Sequence, residues 1–334
     1  MARPQPQALV TIGDPMPRIT LPLASGGLFD SWDAATCGMA RVYWLGQPPA
    51  PPAGARLAEK LAGSETLLHF VAAAPPQAAD ATTSCLLDRG GELGRAFGAT
   101  GPLAIMVDAA GRVASLVPQP SPDAVETLAV RLYTASTPSV VQANAPVLLL
   151  ERAIDPAMCR TLIDYWKGGV RLANTVGSNV GNVVNPDIKR RQDVQLDDPA
   201  LFVQVRDCLV RRVIPAMEQA FHARITVIEA PLVGCYDAGS GWFRRHRDNT
   251  SSKNAHRQFA LSLNLNAAEE YDGGELRFPE FGRQFYRPAM GEALVFSCSL
   301  LHEVLPVTRG QRFGLFTFLS ASGPAVASGP SLRR

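Results

Sequence analysis

The chain has 334 residues, 46% of them hydrophobic, and a formal net charge of +2. That length accommodates two domains of ordinary size, and the hydrophobic share excludes wholesale disorder. The near-balanced charge gives no general pull toward nucleic acid, and no apolar run reaches the ~18 residues of a membrane span.

Residues 1–10 are polar and proline-rich and read as a loose lead-in. Met39–Gly46 is a short apolar run expected to form a buried strand, and Gly54–Leu61 carries helical apolar spacing. Thr66–Val71 reads as a second strand, Leu86–Gly98 as strand, turn and helix, and Leu103–Val113 as a hairpin turning at Gly111. Strands alternating with helices predict an α/β layer. The small, polar stretch from Thr134 to Pro146 contains two prolines and is the best linker candidate. The expected organisation is therefore a first domain over 8–135, a linker over 136–146, a second domain over 147–322 and a frayed tail over 323–334.

Beyond the linker, Val147–Leu150 reads as a strand. Asp155 and Pro156 open a helix as N-cap and first residue, and Met158, Leu162, Ile163 and Trp166 follow its period. Gly168–Pro186 lacks a clear period and is expected to be a loop covering a site. The run Lys189-Arg190-Arg191-Gln192-Asp193-Val194 reads as a solvated face, with contact to an anionic substrate as the alternative. Pro199–Phe221 is patterned as one amphipathic helix and Ile225–Cys235 as a strand. Gln258–Asn266 alternates, which puts Ser262 and Asn264 on its less apolar face. Asp272-Gly273-Gly274 marks a turn, and Ala293–Phe296 is a further strand.

The chemistry concentrates at His246, Asp248, His302 and Arg312. Side chains at i and i+2 of a strand share a face, so His246 and Asp248 can reach one metal while Arg247 points away. His302 follows Asp248 by 54 positions, enough for a hairpin and return. Two imidazoles and one carboxylate are the donor set of a facial non-haem iron(II) site. Each signal also has a plainer explanation: a chance His-x-Asp, and His302 as an ordinary surface or core histidine. His256 has no partner at ligand spacing and is expected to be exposed or substrate-side. Arg312, Gly314, Phe316 and Phe318 share one strand face, and a buried guanidinium there needs an anionic partner. That partner is either a bound carboxylate or one of Glu275, Glu292 and Glu303. By alternation Arg244 shares the His246 side, where it could clamp a substrate carboxylate. Trp242 and Asn264 complete the expected substrate contacts. No catalytic side chain beyond the metal centre is expected.

Tyr236–Ser320 resembles the iron(II)- and 2-oxoglutarate-dependent dioxygenases, in the prolyl 4-hydroxylase-like branch. The resemblance is carried by Tyr236-Asp237-Ala238-Gly239, His246-Arg247-Asp248, Asp272–Pro279, Pro288–Phe296 and Leu301–Arg312, in that order and spacing. It implies a double-stranded β-helix, the cupin-like jelly roll, with flanking helices. It implies Fe(II) on His246, Asp248 and His302, and 2-oxoglutarate with its far carboxylate on Arg312. Tyr236 is implied as a hydrogen-bond donor to that carboxylate or to substrate, with a buried structural tyrosine as the alternative. The implied reaction consumes dioxygen, releases succinate and carbon dioxide and hydroxylates an unactivated C–H bond, with ascorbate as an accessory reductant. Many prolyl hydroxylases carry lysine at the Arg312 position, so a prolyl substrate is expected less firmly than the cosubstrate. An amino-acid-like small molecule is the other substrate expectation.

Residues 8–135 resemble the thioredoxin-fold peroxiredoxins at Gly13–Pro17, Asp88–Gly98 and Pro102–Gly111. The loop Gly46–Gly54, where that family keeps its reactive cysteine, has none, and peroxide reduction needs a thiolate. Cys37 and Cys85 are expected to be ordinary thiols. The segment therefore reads as a degenerate redoxin used for packing, homodimerisation or docking. The competing reading is a redox-linked scaffold or peptide-binding protein with a vestigial oxygenase site. Six scattered cysteines without a Cys-x-x-Cys pair, and no signal-like apolar core in Met1–Pro6, place the chain in the cytoplasm as an expectation.

Overall fold

The structure is a computed structural model. It describes residues 9–321, except 34–35, 65, 76–83, 130–131, 133–143, 173–174, 179–180 and 185–186, and also describes 332–333. Most of the expected lead-in, linker and tail lies outside the described residues. The chain divides into two compact units, Met1–Ser139 and Val140–Arg334.

The first unit is an α/β layer. Its elements are β1 (Ala40–Leu45), α1 (Pro51–Ala62), β2 (Thr66–Ala72), β3 (Ser84–Leu87), α2 (Glu92–Ala96), β4 (Leu103–Val107), β5 (Val113–Pro118) and α3 (Pro122–Ala129). The sheet order is β3-β2-β1-β4-β5, with β1, β2 and β3 parallel and β4 and β5 antiparallel to their neighbours. Both faces are covered, which explains the unbroken apolar run of β1. Val42, Trp44 and Met106 pack on Leu57, Leu61 and Val125 of α1 and α3, while Tyr43, Ile105 and Leu86 pack on Phe29, Leu93 and Phe97. Helix α1 starts three residues before Gly54, because Pro51 and Pro52 are tolerated in a first turn.

The second unit begins with β6 (Val147–Leu150) and α4 (Pro156–Gly168). Asp155 Oδ1 caps α4 by accepting from Met158 N at 2.9 Å. The chain continues through β7 (Lys189–Arg190), β8 (Gln192–Gln195), α5 (Pro199–Cys208) and α6 (Ile214–Phe221). The single helix read over Pro199–Phe221 is broken by a π turn at Leu209–Val213. Pro215 accounts for it: proline has no N–H to donate and its ring crowds the preceding turn. Then come β9 (Leu232–Asp237), β10 (Trp242–His246), β11 (Phe259–Asn264), β12 (Leu276–Arg277), β13 (Phe285–Tyr286), β14 (Ala293–Ser297), β15 (His302–Val304) and β16 (Val307–Ser320).

These strands form two antiparallel sheets. The larger runs β8-β9-β16-β11-β14-β6 and the smaller β7-β10-β15-β12-β13. Their facing sides share one core, in which Tyr236, Ala260 and Phe296 meet Leu276, Tyr286 and Val304. The other side of the larger sheet packs Val233, Leu261 and Leu315 on Leu162, Phe202 and Met217 of the helices. Alternation along each strand sorts side chains between these two cores. Two expectations are corrected here. Gly168–Pro186, read as a loop without a clear period, contains a hairpin pairing Thr175–Ser178 with Gly181–Val184. Leu332–Arg333, read as frayed, pairs with Val227–Ile228. Among the described residues no helix is long and apolar enough to cross a membrane.

Candidate metal centre

Strands β10 and β15 lie side by side in the smaller sheet, with His246 directly opposite His302. Phe243 is opposite Val304, so three steps on β10 match two on β15. The extra residue is a β-bulge, and it re-aims the strand end at the pocket. Asp248 follows the strand, and its backbone N–H donates to the Cys298 carbonyl at 3.0 Å. These elements gather one ligand atom each from His246, Asp248 and His302 within 4.8 Å of one another. His246 Nε2 lies 3.4 Å from Asp248 Oδ1, and His302 Nε2 lies 3.5 Å from Asp248 Oδ2.

The second nitrogen of each ring fixes its orientation. His246 Nδ1 sits 2.7 Å from the Arg244 carbonyl oxygen and His302 Nδ1 3.0 Å from that of Leu300. Donation there leaves both Nε2 lone pairs facing Asp248. His246 Nε2 is buried without a hydrogen-bond partner. Burial lowers the His302 imidazole to about 4 against the pull of Asp248, so the ring stays neutral and keeps its lone pair. Burial pushes the Asp248 carboxyl up, but His302, His246 and Arg257 outweigh it and hold it below the usual carboxylate range. Ligands ~2.1 Å from a metal and at right angles lie ~3 Å apart, so the spacing and the orphaned nitrogen both fit a divalent cation.

Arg312 is buried at 2% exposure on the inner face of β16. Its Nη1 donates to the Gly274 carbonyl at 2.8 Å and its Nη2 to Ser262 Oγ at 3.4 Å, and the Tyr236 ring lies 5.5 Å from its guanidinium carbon. Gly274 has φ +71°, and a Cβ there would stand 3.0 Å from Arg312 Cδ, so the glycine makes the cradle. Among the described residues no carboxylate pairs with Arg312. Glu275 is engaged by Arg287, Glu303 by Arg245 and Arg277, and Glu292 accepts from Ala289 N. The three glutamate alternatives are thus otherwise occupied, and the guanidinium is left with neutral acceptors only.

Four neighbouring residues complete the surroundings of the cluster. Arg244 does not follow simple alternation: the bulge gives the inner face to Phe243, whose ring stacks on His246 at 3.5 Å, and Arg244 lies exposed. Trp242 is half-buried under Arg190, whose guanidinium lies 4.4 Å from its ring. Asn264 is fully buried, giving Nδ2–H to the Asn266 carbonyl at 2.8 Å and accepting from Tyr271 Oη at 3.2 Å, so it serves the fold. His256, expected exposed or substrate-side, is half-buried against Glu229 at 3.0 Å.

The basic run is the larger departure. Lys189, Arg191 and Asp193 are buried, not solvated. Lys189 Nζ and Arg191 Nη2 lie 2.6 and 3.1 Å from Asp193 Oδ2, and Arg191 Nη1 donates to Tyr236 Oη at 3.3 Å. Their spacing of two was the available signal, since it puts all three on one face.

A facial two-histidine, one-carboxylate cluster inside a β-sandwich is the arrangement of non-haem iron oxygenases. Consistent with this, the 2OG-Fe(II) oxygenase superfamily model matches residues 232–320, so this part of the chain carries a 2OG-Fe(II) oxygenase domain. A PKHD-type hydroxylase of Synechococcus sp. (strain JA-2-3B'a(2-13)) is 34% identical over 104 residues, covering 30% of this chain and 46% of its own. A PKHD-type hydroxylase of Stutzerimonas stutzeri (strain A1501) is 30% identical over 142 residues, covering 40% and 62%. The chain thus spans less than two thirds of either relative. Among solved structures, a Pseudomonas putida prolyl-4-hydroxylase aligns with TM-score 0.42 and 18% identity, over 54% of this chain and 95% of that one.

Proposed function

We propose that this protein is an Fe(II)- and 2-oxoglutarate-dependent hydroxylase. The observation that carries the reading is the pairing of the three-residue cluster with a buried Arg312 that meets no carboxylate among the described residues. His246, Asp248 and His302 would hold the iron, and Arg312 would hold the far carboxylate of 2-oxoglutarate through its planar fork. Tyr236, oriented by Arg191, is in reach of the same pocket. The bound metal supplies oxidative decarboxylation of the cosubstrate coupled to attack on a C–H bond. Each turnover takes 2-oxoglutarate, dioxygen and substrate C–H and returns succinate, carbon dioxide and C–OH. Phe243 and Phe296 pack on the two imidazoles and shield that chemistry from water.

The two facing sheets support a jelly-roll reading of the second unit, and the parallel–antiparallel layer supports a thioredoxin-like reading of the first. In this reading the first unit has no peroxidatic role, because Gly46–Gly54 carries no cysteine. The test is iron-dependent succinate release. His246→Ala or Asp248→Ala abolishes it while the circular dichroism spectrum is kept; full residual turnover overturns the ligand assignment.

A further inference from the structure

Lys189, Arg191 and Asp193 stand where the chain leaves the smaller sheet for the larger one, Lys189 opposite Phe243 and Asp193 opposite Gly234. Lys189 is 5% exposed, and its ammonium lies 5.7 Å from the centre of the Phe243 ring. That same ring stacks on His246, so the ammonium is one aromatic residue away from the metal cluster.

Lys189, Arg191 and Arg312 are three buried cations of this region, and their partners differ. Arg191 is held by both oxygens of Asp193 and stacks 3.9 Å from the Phe316 ring centre. Arg312 faces the cosubstrate. Lys189 has three donors, and Asp193 takes one. The other two have no partner among the described residues. Lys189 shares the one carboxylate of Asp193 with Arg191, so its two unused donors, one aromatic ring from the metal cluster, call for a further acceptor, which an anion supplies best.

We propose that Lys189 binds a carboxylate of the substrate, so that this oxygenase hydroxylates an acidic molecule, the acid group anchored close to the C–H bond that reacts. The assignment rests on the oxygenase reading above. Asp193 is a positioning residue that holds the ammonium in place. The carboxylate comes from a free acid, such as an amino acid, or from an acidic side chain in a peptide.

The experiment uses the full chain loaded with Fe(II) and 2-oxoglutarate, with succinate release as readout. The panel holds the free amino acids and small monocarboxylic acids, each beside its primary amide, and end-blocked peptides containing Pro, Asp or Glu. An acid is expected to stimulate turnover with kcat/KM on the order of 100-fold above its amide. Lys189→Met is expected to bring that acid-to-amide ratio near one, and Lys189→Arg to restore most of it. A merely structural lysine would lower acid and amide together and leave the ratio intact. Stimulation by Asp or Glu peptides alone assigns the carboxylate to a peptide. Stimulation by prolyl peptides alone, by no carboxylate, or with an unchanged ratio in Lys189→Met overturns the assignment but not the oxygenase reading. No succinate under any condition overturns both.

Discussion

A methyl group at position 234 would sit 2.6 Å from Asp193 Oδ1 and 2.8 Å from Arg191 Nε. Both atoms belong to buried, mutually paired side chains, so neither can swing away cheaply. Gly234→Ala is expected to cost about 1–3 kcal/mol, read from the denaturant midpoint, as overpacking of a filled interior does. An unchanged midpoint would mean that the Arg191–Asp193 pair is looser than its distances suggest. At Arg312 the geometry separates charge from shape. Arg312→Ala removes both and is expected to raise the 2-oxoglutarate concentration for half-maximal succinate release on the order of 100-fold. Arg312→Lys keeps the charge but loses the two-pronged contact with Gly274 and a carboxylate, so about a tenfold rise is expected. An unaltered requirement in the alanine variant would reassign the residue.

Strand neighbours in the first unit create a second buried polar feature. Tyr43, His69 and Ser84 are directly opposite one another on β1, β2 and β3, and His69 Nδ1 lies 2.9 Å from Ser84 Oγ. Burial first, and Arg41 second, take the His69 imidazole down to about 4 from its usual 6.5. Between those values the unfolded chain binds a proton that the folded chain refuses. Stability is therefore full above pH 6.5 and falls as pH drops toward 4, by up to ~1.4 kcal/mol per pH unit. His69→Phe, which can keep the stacking with Phe29 and Tyr43, is expected to flatten the unfolding free energy across that window. His302 titrates in both proteins and cancels in the difference, so equal slopes would refute the assignment.

The same elements explain what the sequence discloses and what it conceals. The convergence of His246, Asp248 and His302 was legible because a His-x-Asp spacing and a distant His need only period-two geometry to meet. Their neighbours were not, because the bulge between Phe243 and His246 breaks that period and no residue type announces it. Lys189, Arg191 and Asp193 were read by charge density, which favours solvent, although their alternation already pointed inward. The π turn before Pro215 shows the opposite case: the proline was visible, but an uninterrupted apolar pattern outweighed it.

Among the described residues, each buried core cluster draws its residues from a single unit, two clusters from each. Separate cores predict separately cooperative unfolding. The metal cluster belongs to the second unit alone, so a bound cation stabilises only that unit, by about 2.7 kcal/mol at a hundredfold excess over Kd. Calorimetry of the full chain is expected to resolve two transitions. Mn(II), used in place of oxidisable iron, is expected to raise the one assigned to 140–334 and leave the other still, with EDTA reversing the shift. His69→Phe labels the first unit's transition independently, because its pH response belongs there. If Mn(II) moves both transitions together, the units unfold as one body. If it moves neither, while His246→Ala binds Mn(II) as the parent does, the cluster of His246, Asp248 and His302 does not hold the metal.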